Sequence, residues 1–247
     1  SLTARVLDLV NSIFFGSKGS QRVTNVEEAS LFLGLSRISE LIIATPIIEE
    51  IQAFGKQSEV VDWTEFWRHS IGTAIMTREL LAAADIQWED EGDYISGLVH
   101  NLGKIITAVT FPEQFGKLCK ARGKRTQDIC DQEKSLLGWD HAKMGAFYLW
   151  NHHIAPEIVQ ATQYHNTPNE APDHSQLASA VQLADHLVRS AGIQGIEQVE
   201  QPRPYDWPKL AGWAILFGED ELISEEERLQ ELKETLERVT NTLKGIF

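Results

Sequence analysis

Apolar residues recur three and four positions apart in nearly every segment of this 247-residue chain, which is the spacing of one face of an α-helix. The clearest case lies near the C-terminus, where residues 224–244 carry the stripe Leu229, Leu232, Leu236, Val239 and Leu243. No run of alternating β-branched residues bounded by turn signals accompanies these segments, so strands are predicted to be few or absent. The periodicity therefore predicts an all-α protein.

The same spacing predicts where the helices lie. The N-terminal helices cover residues 2–14, 25–34 and 37–53, and a long helix follows over 63–84. Later helices are predicted over 91–109, 112–121, 126–138, 140–152, 156–166, 174–191 and 224–244. The stretch 193–212 contains three prolines and is predicted to be a loop or a run of short turns.

A seam near residues 55–61 divides the predicted helices into two groups. Residues 1–55 form a small N-terminal helical subdomain, and residues 62–195 form a larger bundle on which it packs. Residues 196–247 add a proline-containing loop and a C-terminal helix that packs on the bundle. The first residues have neither the layout of a secretion signal nor that of a native start, so we expect the chain to be part of a longer protein.

Composition argues against two classes of partner. Acidic residues number 36 and basic residues 22, which gives a net charge of −14, and no Lys/Arg cluster supplies the basic footprint that nucleic acid requires. No stretch approaches the roughly 18–20 apolar residues that span a bilayer. The two cysteines, Cys119 and Cys130, form no CxxC pair, which is typical of a reducing cytoplasm. We therefore expect a cytoplasmic protein without a nucleic-acid or membrane partner.

Six residues able to ligate a metal fall on semi-buried helix faces in one ordered series: Glu65, His69, His100, His141, His165 and Asp185. Imidazole and carboxylate groups brought together from several helices bind transition metals such as Fe, Mn, Ni or Zn. Lys104 follows His100 by one helical turn and is a candidate for contacting a phosphate. A single histidine on an apolar helix is more often a hydrogen-bonded core residue than a ligand; the set as a whole favours a site.

Five of the segments that carry these residues resemble the HD-GYP and HDOD branches of the HD superfamily: FWRHS (66–70), GLVHNLGK (97–104), HAKMGAFYLW (141–150), YHN (164–166) and LAD (183–185). The stretches LTARVLDLVNSIFFG (2–16) and VEEASLFLGLSRISELI (26–42) resemble specifically the HDOD domain, the HD-related output domain of bacterial signalling proteins. The resemblance runs in order from residue 2 to about residue 190. It implies an HDOD domain over residues 1–195, with the N-terminal helical subdomain packed on an HD-like helical bundle.

HD-GYP relatives hydrolyse cyclic di-GMP at a site with two or three metals. Carried over position by position, the resemblance places ligands at Glu65, His69, His100, Asn101, His141, His165, Asn166 and Asp185. Asn101 stands where the hydrolases have a metal-bridging aspartate, Asn166 stands where they have a second histidine, and the GYP signature is missing. Because an amide has no net charge and offers one weak carbonyl donor, a centre with two metals should be badly weakened.

Two functions remain open. The first is a bacterial signalling output module of the HDOD type, catalytically inactive, that binds a protein partner or a ligand under the control of an upstream receiver or sensor domain. The second is a metal-dependent phosphohydrolase that acts on a nucleotide or cyclic dinucleotide. The residual set His69, His100 and Asp185 could hold one divalent transition metal ion weakly. Alternatively, the polar groups bond one another and no metal is bound.

Overall fold

A computed structural model of the chain describes residues 61–244 apart from 89–91, 121–125, 197–200 and 219–221, together with positions 24, 25, 27, 28, 49 and 53. Every regular element within these residues is helical, which confirms the all-α prediction. Apart from those six positions, the predicted N-terminal helices and the subdomain over residues 1–55 lie outside the described residues.

The described part of the chain contains ten α-helices and two short 3-10 helices. The first five α-helices are α1 (Trp63–Ala83), α2 (Gly92–Val99), α3 (Leu102–Thr110), α4 (Pro112–Cys119) and α5 (Thr126–Leu137). The others are α6 (His141–Asn151), α7 (Pro156–Tyr164), α8 (Ser175–Ser190), α9 (Ala211–Phe217) and α10 (Glu225–Lys244). The 3-10 helices cover Pro168–Glu170 and Pro204–Lys209. No helix in the described ranges is both long enough and apolar enough to cross a membrane.

The prediction of a single helix over residues 91–109, with His100 near its middle, is wrong. Helix α2 ends at Val99 and α3 begins at Leu102. At the break, the His100 ring bonds the Gly97 carbonyl through Nδ1 at 2.7 Å. In a continuous helix that carbonyl would accept the backbone N–H of Asn101. A side chain that takes over a backbone acceptor in this way interrupts the helix, and the break places His100 and Asn101 in the interior.

Helix α8 lies at the centre of the bundle and packs against α1, α2, α7, α9 and α10. Its apolar residues are completely buried: Leu177, Ala178, Ala180, Val181, Leu183, Ala184, Leu187 and Val188. Four polar side chains of α8 are buried as well: Ser179, Gln182, Asp185 and Arg189. Asp185 and Arg189 carry charge, so they need partners in the interior.

Two glycines bring the helices of the site close together. A Cβ at Gly97 would lie 2.6 Å from the Ala74 Cα on α1, and a Cβ at Gly103 would lie 1.9 Å from the His141 carbonyl oxygen on α6. Any larger residue would push these backbones apart. The close approach of α2 to α1, and of α3 to α6, therefore depends on the glycines that flank the HN pair in GLVHNLGK.

The C-terminal region packs on the same bundle. Helix α10 lies against α1 and buries Leu232, Leu236, Val239 and Leu243 of the predicted stripe. The predicted loop over residues 193–212 contains the 3-10 helix Pro204–Lys209, which buries Trp207 completely. Helix α9 was not predicted, because seven residues are too few to show a helical period.

Candidate metal centre

Four histidines from different helical segments form a continuous row inside the bundle, here called the histidine row. The ring centroids are 5.4 Å apart between His69 and His100, 5.2 Å between His100 and His165, and 5.5 Å between His165 and His141. None of the four is more than 1% exposed. Burial lowers the pKa of His100, and burial together with the neighbouring rings holds the pKa of His165 well below its usual range. These two rings are therefore neutral.

The Nδ1 atom of every ring in the row is bonded to a fixed acceptor. The acceptors are the Ile193 carbonyl for His69 (3.0 Å), the Gly97 carbonyl for His100 (2.7 Å), the Thr162 carbonyl for His165 (2.8 Å) and Glu133 Oε2 for His141 (2.7 Å). In a neutral ring that donates from Nδ1, the lone pair is on Nε2. Metal-binding histidines in proteins are oriented by outer hydrogen bonds of this kind.

At one end of the row, here called the Asp185 end, a buried carboxylate joins two of the rings. Asp185 Oδ1 lies 2.9 Å from His69 Nε2 and 3.5 Å from His100 Nε2, and Oδ2 lies 2.8 Å from the Arg189 guanidinium. Burial alone would raise the pKa of Asp185, but Arg189 and the two histidines hold it well below its usual range. The carboxylate is therefore charged.

The Asp185 end also has the donors of a single-ion site. Ligand atoms of His69, His100 and Asp185 all lie within 4.8 Å of one another, and two imidazoles with one carboxylate are a known transition-metal set. His69 Nε2 and Asp185 Oδ1 lie 2.9 Å apart and are both buried. Two donor atoms at this separation are spaced as neighbouring ligands of one ion would be.

The two asparagines at family ligand positions bond to the histidines that precede them. Asn101 Nδ2 lies 2.7 Å from His100 Nε2, and Asn166 Nδ2 lies 3.1 Å from His165 Nε2. Since both rings donate from Nδ1, each Nε2 accepts and each amide donates. The side-chain oxygen Oδ1 of Asn101 is buried and has no hydrogen-bond partner among the described residues. Both amides thus donate to the atoms that would otherwise bind metal.

The opposite end of the row, here called the Glu133 end, contains a carboxylate that the sequence analysis missed. Glu133 Oε2 accepts both the backbone N–H of His141 (2.9 Å) and its ring Nδ1–H (2.7 Å). Burial raises the pKa of Glu133 to about 7, although the nearby Lys104 ammonium opposes that shift. Its position four residues after the buried Ile129, on the inner face of α5, is the one sequence signal that could have identified it.

Glu65 and Lys104, the remaining sequence candidates, lie in different surroundings. The Glu65 side chain is 33% exposed and pairs with Arg68 at 3.2 Å, and it belongs to neither of the ligand groups found in the described residues. Lys104 is 5% exposed and interacts with Glu133. Arg189, which the sequence analysis did not name, lies one helical turn after Asp185 and belongs to the Asp185 end.

Comparisons with known proteins concern the family and the fold of the chain. The family model that describes the HDOD domain matches residues 1–168. A protein of Treponema pallidum (strain Nichols), named only as uncharacterized, is 25% identical over 192 residues. That match covers 76% of this chain and 36% of the relative, so the chain spans about a third of the relative's length.

Three solved structures share the fold. An HDOD domain protein of unknown function from Geobacter sulfurreducens has a TM-score of 0.69 at 18% identity, over 100% of this chain and 82% of its own. A protein from Shewanella amazonensis SB2B, described as a candidate phosphohydrolase, has a TM-score of 0.66 at 23% identity, with the same coverage. A protein from Marinobacter aquaeolei VT8, described as a candidate signal transduction protein, has a TM-score of 0.62 at 20% identity, over 99% of this chain and 52% of its own.

Proposed function

Because the chain belongs to the HDOD domain family, we propose that it is a signalling output module that acts by binding a protein or a ligand and does not hydrolyse phosphoesters. The observation that carries the proposal is the pair of amides in the histidine row. Asn101 and Asn166 donate to Nε2 of His100 and His165, whose Nδ1 atoms already donate to backbone carbonyls. A ring bonded at both nitrogens has no lone pair left for an ion.

The charges around Asp185 also oppose a centre with two metals. A bridging carboxylate brings negative charge between two dications, and the Asn101 amide brings none. The Arg189 guanidinium already lies 2.8 Å from Asp185 Oδ2. Two unit charges 4 Å apart interact by about 4 kcal/mol at an effective dielectric constant of 20, so a dication at that distance from Arg189 would be opposed by about twice as much. One carboxylate and two imidazoles can offset that repulsion for one ion but not for two.

A single, weakly held divalent transition metal ion (Fe, Mn, Ni or Zn) fits the residual set. His69, His100 and Asp185 supply the donors, and the Asn101 amide must turn away from His100 before that ring can bind. When bound, such an ion supplies Lewis acidity. The bonds between the amides and the rings support the alternative in which these groups satisfy one another and no metal is present.

The family supports a signalling partner. We propose a signalling protein partner, or an upstream receiver or sensor domain, in the cytoplasm. Cys119 and Cys130 are both thiols, which supports a reducing compartment. A nucleotide remains a candidate ligand, but Lys104 is buried, so a phosphate reaches it only if the bundle opens.

A metal-dependent phosphohydrolase is the second candidate. The observation in its favour is the set of four buried histidines whose Nδ1 atoms are all bonded to fixed acceptors, because proteins orient metal ligands in this way. The opposing observation is that two of the four Nε2 atoms accept protein hydrogen bonds.

Metal analysis and a hydrolysis assay separate the two candidates. The full chain is purified without chelator, its metal content is measured by mass spectrometry, and it is incubated with cyclic di-GMP and added manganese. We expect no turnover above that of buffer, and at most one ion held by His69, His100 and Asp185. Two ions per chain together with manganese-dependent cleavage would overturn the proposal.

A double substitution tests the role of the amides directly. Asn101→Asp with Asn166→His returns one anionic and one imidazole donor, so we expect the metal content to rise by about one ion per chain. The matched control is Asn151→Asp, which adds the same charge at an exposed position of α6 and should leave the metal content unchanged. Metal uptake is the readout, because without the GYP segment the variant need not turn over substrate.

A further inference from the structure

A second group of metal-ligating side chains lies at the Glu133 end of the histidine row and includes a sulfur atom. Ligand atoms of Cys130, Glu133 and His141 all lie within 4.8 Å of one another. All three residues are only 1% exposed. The positions carried over from the HD superfamily include His141 but neither Cys130 nor Glu133, so the resemblance does not assign this group as a metal site.

Local sequence brings the three side chains together. Cys130 and Glu133 are three residues apart on α5 and therefore share one face of that helix. Gly138, with a φ of 82°, follows the end of α5 in the left-handed region that glycine favours. His141 then begins α6, and its backbone and ring both bond Glu133. The turn thus returns the chain to the inner face of α5.

We propose that Cys130, Glu133 and His141 bind one divalent, borderline-soft metal ion of the zinc class. Thiolate, imidazole and carboxylate are the ligand types that proteins use for zinc. The thiolate and the carboxylate together neutralise a dication, which two imidazoles and one carboxylate cannot do. The Cys130 thiol releases its proton to the solvent as the metal–sulfur bond forms.

The present distances are close to those that an ion requires. Zinc–nitrogen and zinc–oxygen bonds of about 2.0 Å in a tetrahedral site place those two ligand atoms about 3.3 Å apart. Glu133 Oε2 and His141 Nδ1 lie 2.7 Å apart and share a proton. An ion that binds Nδ1 displaces this proton, which His141 then carries on Nε2 as the other neutral tautomer. The ion separates the two atoms by about half an ångström, which small side-chain rotations provide.

Asn166 places a hydrogen-bond donor beside the Cys130 sulfur. Its Nδ2 atom lies 3.6 Å from Cys130 Sγ, within the range of an N–H···S hydrogen bond. Amide donors to sulfur stabilise ligand thiolates from outside the coordination shell. The residue that replaces a histidine of the hydrolases is therefore placed to support a sulfur ligand at this end of the row.

Cobalt absorption tests the proposal, because thiolate ligation gives Co²⁺ a charge-transfer band in the near ultraviolet and nitrogen or oxygen ligation does not. The metal-stripped full chain is titrated with Co²⁺. We expect the band in the unaltered chain, in Cys119→Ser and in His69→Gln, and we expect Cys130→Ser to lack it. The His69→Gln variant separates this proposal from the proposed function, since it alters only the Asp185 end.

The absence of the band from the unaltered chain, or its persistence in Cys130→Ser, would overturn the proposal. If Cys130→Ser does not fold, as judged by circular dichroism, Glu133→Gln provides the test with the thiol intact. We expect it to weaken Co²⁺ binding at least tenfold, whereas Asp131→Asn, on the exposed face of the same helix, should leave binding unchanged. Equal affinity in Glu133→Gln and the unaltered chain would exclude Glu133 as a ligand and overturn the three-residue site.

Discussion

The two ends of the histidine row contain similar groups in opposite electrostatic states. At the Asp185 end, the Arg189 guanidinium lies 2.8 Å from a carboxylate whose pKa is held well below its usual range. At the Glu133 end, burial prevails and raises the pKa of the carboxylate to about 7, despite the nearby Lys104. Both carboxylates are 1% exposed, so the depth of burial does not explain the difference.

The difference lies in how the cation is held. Arg189 follows Asp185 by four residues on one helix, so the two side chains meet whenever α8 forms. Lys104 comes from α3, and no backbone periodicity aligns it with Glu133 on α5. A carboxylate that is already neutralised by an arginine on its own helix attracts a metal ion less strongly. A buried carboxylate without a cation fixed in this way attracts an added cation more strongly.

The largest effect should come from removing the charge at the Asp185 end. Asp185→Asn leaves the Arg189 guanidinium buried without its counter-charge, and breaking a buried pair in this way costs about 3–5 kcal/mol. Urea unfolding followed by circular dichroism would measure that loss in the free energy of unfolding. A loss below about 1 kcal/mol would show that Arg189 does not depend on Asp185 and would remove the basis of the comparison.

Pushing α3 and α6 apart at the Glu133 end should lower the free energy of unfolding nearly as much. In Gly103→Ala the new Cβ would lie 1.9 Å from the His141 carbonyl oxygen, so α3 and α6 must separate, at a cost of about 2–3 kcal/mol. The matched control is Gly116→Ala, because Gly116 lies within α4 and a Cβ there meets no atom within 4 Å. That control should stabilise the chain by up to about 1 kcal/mol. If Gly103→Ala unfolds at the same urea concentration as the unaltered chain, the close approach of α3 to α6 is refuted.

Sequence periodicity predicted most of the described helices to within two residues at each end. Proline at the first position of α4 and of α7 marks where those helices begin. The division between α2 and α3 could not be predicted in this way, since the apolar pattern continues through Leu98, Val99 and Leu102. The interruption depends on the bond between a side chain and the Gly97 carbonyl, which hydrophobic periodicity does not report.

The candidate site was predictable in its residue types but not in its pairings. The order of the segments identified the four histidines and Asp185, which the structure places together. Their partners depend on tertiary packing: the Asn101 amide meets the ring beside it only because the helix breaks there. Glu133 was not predicted because it belongs to a helix rich in charged residues. In such a helix the sequence does not distinguish a buried acidic residue from an exposed one.

The smallest change in the free energy of unfolding should come from Glu133→Gln. This substitution also tests the comparison of the two ends most directly. The glutamine carbonyl oxygen can accept the same backbone and ring N–H groups of His141, so the hydrogen bonds of Glu133 survive in neutral form. Burial already disfavours the charged carboxylate, so its replacement by an amide should change the free energy of unfolding by at most about 1 kcal/mol.

The free energies of unfolding of Glu133→Gln and Asp185→Asn are measured by urea unfolding of metal-stripped protein, so that metal binding does not contribute. A cost for Glu133→Gln as large as that for Asp185→Asn would mean that Lys104 depends on Glu133 as strictly as Arg189 depends on Asp185. The two ends would then be electrostatically alike.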